Sequence, residues 1–251
     1  MISVCLTTYN GDIYIKEQID SILSQLTFAD ELIISDDGST DKTLQIINSI
    51  QDTRIKLLNH HKKSETYWFN YTTRNVEYAL QQAKGEIIFL SDQDDIWLPN
   101  KVQIMSAVLA DYKLVVADCC VTDNKLNVIY ASYFDLIHSG EGIVHNLVKN
   151  SYLGCCMAFR RDILRMALPI PKGPIAHDIW IGLIANMHNA VKFIDVTTML
   201  YRRHDATVST SSQHSHNSFC FKIYYRCYIG VLLCKHWIKS YNDHEENSTY
   251  F

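Results

Sequence analysis

Short apolar runs that end in polar clusters recur along the first half of the chain. ISVCLTT (Ile2 to Thr8), ELIISDD (Glu31 to Asp37), RIKLL, EIIFLS and KLVVAD each read as a buried strand. Between them, apolar residues return at helical spacing. Ile15, Ile19, Ile22 and Leu26 predict one helix and LQIINSI a second. A third falls around Arg74 to Ala83, and a fourth is opened by Pro99, where the missing N–H costs nothing. Strands alternating with helices in this way predict βαβ units and a mostly parallel α/β sheet flanked by helices.

Such a sheet binds its ligand beyond the carboxyl ends of its strands. Three polar clusters fall there: Thr7-Thr8-Tyr9-Asn10, Asp36-Asp37-Gly38 and Asp92-Gln93-Asp94-Asp95. They are expected to converge on one edge. The second half is less regular. Tyr152 to Phe159 reads as a strand, His177 to His188 as a helix with a polar entry, and KFI and TMLYRRH as two short strands. The polar stretch Asn59 to Tyr71 has no clear period.

Ala206 to Asn242 contains no Asp or Glu but carries Lys222, Arg226, Lys235, Lys239 and many aromatics. Two readings stand side by side: attraction to an anionic membrane surface, or a helix packed on the domain. At about 100° per residue the Lys222/Arg226 and Lys235/Lys239 pairs point to nearly opposite sides of a straight helix. A break at Gly230 would realign them.

Composition narrows the field. The 251 residues carry a formal net charge of -4, with 47% hydrophobic and 20% charged residues. That is globular usage, and the acidic balance argues against a nucleic-acid partner. None of the 8 cysteines forms a C-x-x-C pair, which argues against a zinc ribbon. With no secretory signal or transmembrane run, reduced thiols and a cytoplasmic chain are expected.

SDQDDIW places Asp92, Asp94 and Asp95 together at a strand end. Carboxylates so close repel, and a divalent cation relieves this; hard oxygen ligands suit Mn²⁺ or Mg²⁺. Capping the next helix would need only one of them. An EF-hand loop from Asp92 fails, since Trp97 and Gln103 stand where Gly and Glu are needed. Asp36 and Asp37 would repel phosphates and suit the nucleoside end of a ligand. No G-x-G-x-x-G or P-loop occurs, so bound phosphate would need the metal. His60, His61, His214 and His216 show no ligand spacing and read as surface or loop residues.

Taken in order, VCLTTYN, ELIISDDGSTDKT and GEIIFLSDQDDIW resemble a family 2 glycosyltransferase of the GT-A fold, of the bacterial O-antigen or capsule type that includes rhamnosyltransferases. The resemblance is strong over residues 1 to 110 and looser to about 205 through GCCMAFRR, HDIWI and YRRH. It implies a nucleotide site at Thr7, Thr8, Tyr9, Asp36, Asp37 and Asp92. It implies a metal held by Asp94 with Asp92 and His204, and Asp178 as general base. Gly154, Trp180, Arg202 and Arg203 would serve the acceptor or the diphosphate.

Two departures stand out: no Gly in Asn59 to Tyr71, and His177 where the family usually has Glu. The implied reaction is inverting transfer from a UDP- or dTDP-type sugar to a saccharide hydroxyl, lipid-linked, at the inner membrane face. It needs a base for the acceptor proton and a Lewis acid for the leaving diphosphate. A nucleotidyltransferase and a non-catalytic nucleotide-sugar binder are the alternatives. Residues 1–205 are expected to form the domain, 1–118 its nucleotide half and 119–205 its acceptor half, with 206–251 a basic aromatic tail.

Overall fold

A computed structural model describes residues 1–204 and 218–248. The elements, in chain order, are β1 (Ile2–Thr8), α1 (Ile15–Leu23), β2 (Glu31–Asp36), α2 (Thr43–Ser49), β3 (Ile55–Asn59), α3 (Phe69–Gln82), β4 (Ile87–Asp92), β5 (Ile96–Trp97) and α4 (Lys101–Val108). Then come β6 (Leu114–Thr122), β7 (Val128–Tyr130), α5 (Tyr133–Ile137), α6 (Ile143–Val148), β8 (Met157–Arg160), α7 (Arg161–Ala167), α8 (His177–Met187), β9 (Val191–Arg202) and α9 (Phe219–Ser248).

One sheet runs in the order β3-β2-β1-β4-β8-β6-β9-β5, with β7 on β6. β3, β2, β1 and β4 pair in parallel, as do β6 and β9, while β8 is antiparallel to both neighbours. The parallel expectation therefore holds for β3-β2-β1-β4 and for β6-β9, while β8, β7 and β5 pair antiparallel, so the single sheet that joins the two proposed halves is mixed. β2 and β6 are buried along their whole length. Helices cover both faces of such strands, so they read as continuous apolar runs rather than alternating ones.

The second half corrects three expectations. Tyr152 to Phe159 is not one strand: Gly154–Cys156 forms a 3₁₀ turn before β8. The turn is held by Cys156 N–H donating to Leu153 O at 2.9 Å, and Lys101 Nζ reaches Cys155 O at 2.7 Å. KFI and TMLYRRH are parts of one long strand, β9, whose pairing with β6 shifts register on either side of Asp118. α9 runs unbroken through Gly230. It packs on the domain through Ile229 and Leu233, both buried, and through Arg226, which donates to the carbonyls of Leu147 and Val148 at 3.0 and 2.7 Å. Among the described residues no helix is long and apolar enough to cross a membrane.

Candidate active site

Strand register assembles the site. Thr7 lies opposite Ser35 and Asp92, and Thr8 opposite Asp36. The three polar clusters therefore meet at the carboxyl edge of the parallel half, as the sheet rule requires. An open cleft of about 680 Å³ lies above them, lined by Thr7, Thr8, Tyr9, Asp37, Asp92, Asp94, Gly154, Asp178 and His204, among others.

Gln93, the residue between the two aspartates, ties this edge together. Its Oε1 accepts from Thr8 Oγ1 at 2.6 Å and Tyr9 N–H at 2.8 Å, and its Nε2 donates to Tyr9 O at 3.2 Å. A Cβ on Gly11 would sit 2.3 Å from that Oε1, so the glycine makes room for the clamp. The loops after β1 and β2 are bonded as well: Asn10 N–H donates to Ser39 Oγ, and Thr40 N–H to Asn10 Oδ1.

The two aspartates after β2 divide. Asp36 is buried and spends its carboxylate on its own loop, accepting from Gly38 N–H at 3.0 Å and Ser39 N–H at 2.8 Å. It shapes the turn and does not line the cleft, which corrects its place among nucleotide contacts. Asp37 does line the cleft. His60 Nδ1 lies 2.7 Å from its Oδ1 and Lys62 Nζ 3.4 Å from its Oδ2. Lys62 also sits 4.5 Å from the Tyr9 ring and 4.7 Å from the Tyr71 ring. His60, in the loop after β3, is thus held against Asp37 rather than standing free on the surface. The unpatterned segment Asn59 to Tyr71 supplies it together with Lys62 and the cleft-lining Trp68 and Phe69. No residue spacing signals this, because the segment is ordered by what it touches. His61 is exposed, and His214 and His216 lie outside the described residues.

At the centre, Asp94 Oδ2 meets His204 Nε2 at 2.8 Å, joining residues 110 apart in sequence. Asp92 stands beside them. Burial, with the Asp94 charge next, pushes its carboxyl up to about 7. Asp95 is fully buried; its Oδ1 accepts from Arg202 N–H at 3.1 Å and its Oδ2 has no partner. Burial, then the charges of Asp94 and Asp92, hold it well above the usual carboxylate range. Ligand atoms of Asp92, Asp95 and Cys155 lie within 4.8 Å of one another. Crowded carboxylates with raised pKa values and an orphaned oxygen fit a divalent cation.

Across the cleft, Asp178 lies in the first turn of α8, its Oδ1 accepting from Ile179 N–H at 2.7 Å. Burial raises its pKa, and the neighbouring His177 opposes that rise. Burial lowers the pKa of His177. A Cβ on Gly154 would lie 2.9 Å from His177 Nε2, so the 3₁₀ turn fits against this pair.

Three residues do not arrive. Trp180 is buried, donating its indole N–H to Ala167 O at 2.8 Å, and cannot stack on a sugar. Arg202 is buried too, pairing with Glu17 at 2.7 Å and lying over the Tyr14 ring at 4.5 Å. Arg203 lies 5.8 Å from the Tyr201 ring and is not among the cleft-lining residues. His204 follows the end of β9 and lines the cleft, whereas Arg202, the last residue of the strand, is buried.

The sheet with a cleft at its carboxyl edge has the GT-A fold. The profile of Glycosyl transferase family 2 matches residues 3–166, and the chain belongs to that family. Among curated relatives, UDP-Glc:alpha-D-GlcNAc-diphosphoundecaprenol beta-1,3-glucosyltransferase WfgD of Escherichia coli is 30% identical over 167 residues, 62% of this chain and 58% of that one. The dTDP-rhamnosyl transferase RfbG of Shigella flexneri is 28% identical over 225 residues, 80% of this chain and 72% of that one. The chain spans 58%, 56% and 53% of the first three curated relatives, a little over half of each.

Solved structures share the fold. S. aureus TarS with UDP-GlcNAc superposes with a TM-score of 0.63 at 19% identity, covering 86% of this chain and 62% of TarS. The mannosyltransferase PcManGT from Pyrobaculum calidifontis, in complex with GDP-Man and Mn²⁺, gives 0.57 at 21%, covering 80% and 56%.

Proposed function

We propose that the chain transfers a sugar, with inversion, from a UDP- or dTDP-type sugar to a hydroxyl of a lipid-linked saccharide at the inner face of the cytoplasmic membrane. The observation that carries this is the strand register that brings Thr8, Asp92 and Asp94 to one cleft with Asp178 across from them. Asp94 and His204, with Asp92, would hold a divalent cation, Mn²⁺ or Mg²⁺. When bound, that ion supplies Lewis-acid stabilisation of the departing diphosphate.

The chain's own residues do the rest. Thr7, Thr8 and Tyr9 present the donor nucleotide, fixed by the Gln93 clamp. Asp37 takes the base or ribose, with Lys62 offsetting its charge and the His60 ring beside it. Asp178 accepts the proton of the acceptor hydroxyl as it attacks the anomeric carbon. Its raised pKa makes it a stronger base than an exposed aspartate. The acceptor lies on the Gly154 and His177 side. Residues 1–118 serve as the donor half and 119–205 as the acceptor half. The names of WfgD and RfbG support a pyrimidine nucleotide, and that of WfgD a polyprenyl-diphosphate acceptor.

Family membership removes the ground for a nucleotidyltransferase. Screening UDP-, dTDP- and GDP-sugars for Mn²⁺-dependent hydrolysis or thermal stabilisation tests the reading. Asp94→Ala and Asp178→Ala should each cut turnover by at least about 10²-fold, and Asp178→Ala should keep donor binding. A protein that is stabilised by donor but turns over nothing under any metal would be the non-catalytic binder.

A further inference from the structure

Among the described residues, α9 packs one face on the domain, and its other face is exposed. The packed face holds Ile229, Leu233 and Arg226, with Tyr228 OH donating to Lys172 O. The opposite face carries Cys220, Ile223, Tyr224, Cys227, Val231, Cys234, Trp237 and Ile238, all exposed. Ile223 is 46% exposed, Val231 54%, Ile238 56% and Trp237 64%. At 3.6 residues per turn these side chains fill an arc of about 140°. Only Gly230 joins them there, and no charged residue falls inside it between Cys220 and Ile238.

Three observations say what covers this face. The first is width: a two-stranded coiled coil needs only a narrow a/d seam, whereas this stripe is as broad as one that meets a continuous apolar phase. The second is charge. Lys235 and Lys239 are exposed on one margin of the arc, and no acid occurs before Asp243. The third is continuity. α6, which α9 grips through Arg226, exposes Val144 (76%) and Val148 (63%), and the exposed Lys149 follows them. Apolar side chains rimmed by lysines, with a Trp at one end, are the chemistry of a helix lying in a membrane interface.

We propose that the outer face of α9, with the exposed valines of α6, docks on an anionic lipid bilayer, α9 lying in the plane of the interface. This deepens the reading above by naming the surface that would bring the cleft to a lipid-linked acceptor, although the binding itself needs neither donor nor acceptor. It also reassigns the basic residues. Arg226 is spent inside the fold, and Lys235 and Lys239 are the cations that face lipid headgroups.

The test is sedimentation of the chain with phosphatidylglycerol-containing vesicles and with neutral phosphatidylcholine vesicles, without sugar nucleotide. Binding should be tighter on the anionic vesicles and weaken with salt. The double variant Trp237→Glu/Ile238→Glu should bind at least about tenfold more weakly, since it puts two charges into the apolar face. Val144→Glu/Val148→Glu offers a second route should α9 lose helicity, and should weaken binding several-fold. A polarity-sensitive fluorophore on Cys227 or Cys234 should shift to the blue on adding vesicles. Asp94→Ala should bind vesicles like the unaltered chain, which separates this proposal from the catalytic one. Absence of vesicle binding, binding that neither double variant changes, or a stable dimer that shields Cys227 and Cys234 equally without lipid would overturn it.

Discussion

The two walls of the cleft are built by different means. The wall proposed for the donor consists of strand tips: Thr7 and Thr8 end β1, Asp92 ends β4, and Asp37 follows β2 directly. Adjacent parallel strands hold these residues in register, and Gln93 pins the first loop with three hydrogen bonds. The opposite wall, where the acceptor is proposed to bind, has no such ladder. Gly154 comes from a 3₁₀ turn, Asp178 from the start of a helix, and His204 from beyond the end of β9. Each is placed by contacts distant in sequence, such as Gly154 against His177 and His204 against Asp94. The donor wall is rigid by construction, and the acceptor wall is rigid only as far as its packing is intact.

Substitutions can break that contrast at either wall. Asp178→Asn should cause the largest loss, on the order of 10³-fold in turnover with donor affinity kept, since it removes the base and leaves the helix start intact. Stopped-flow or steady-state transfer with saturating donor reads this. The same residue sets a pH limb. A carboxylate whose pKa is raised by burial must lose its proton to act, so kcat/KM should rise with pH through an inflection above the ordinary aspartate value. Asp94→Ala should cost about 10²- to 10³-fold and also abolish metal-dependent donor binding, measured by calorimetry.

Next comes stability. With Asp92 pushed up to about 7 in the fold from 3.8, the metal-free protein holds a proton that the unfolded chain has released between those values. Unfolding then releases the proton, so stability falls as pH rises through that window and levels off above it. Mn²⁺ should therefore raise the melting temperature more at pH 8 than at pH 5. A metal effect equal at both pH values would contradict this account. The smallest effect belongs to Gln93→Ala. It removes three hydrogen bonds at a partly exposed site and should raise the donor KM about tenfold with kcat nearly unchanged. A larger fall in kcat than rise in KM would show that the clamp also orders the metal side.

The donor wall was almost fully legible in the chain, because a strand buried on both faces must be a continuous apolar run and its tip must be where polarity begins. The predicted runs ISVCLTT, ELIISDD and EIIFLS matched β1, β2 and β4 to within one residue at either end, so the convergence of Thr8, Asp37 and Asp94 followed from the sheet rule. Sequence also determined the αβ alternation and the helix that begins at His177. Tertiary structure decided what local pattern does not encode. It set Asp36 into its own loop and Asp37 into the cleft, although the two are neighbours of one type. It brought His60 and Lys62 out of an unpatterned segment onto Asp37, turned Trp180 and Arg202 into the core, and chose which face of α9 stays bare. These outcomes depend on which side of a strand or helix a residue occupies and on what packs opposite. Spacing along the chain fixes the first only within a regular element, and the second is a property of the whole fold.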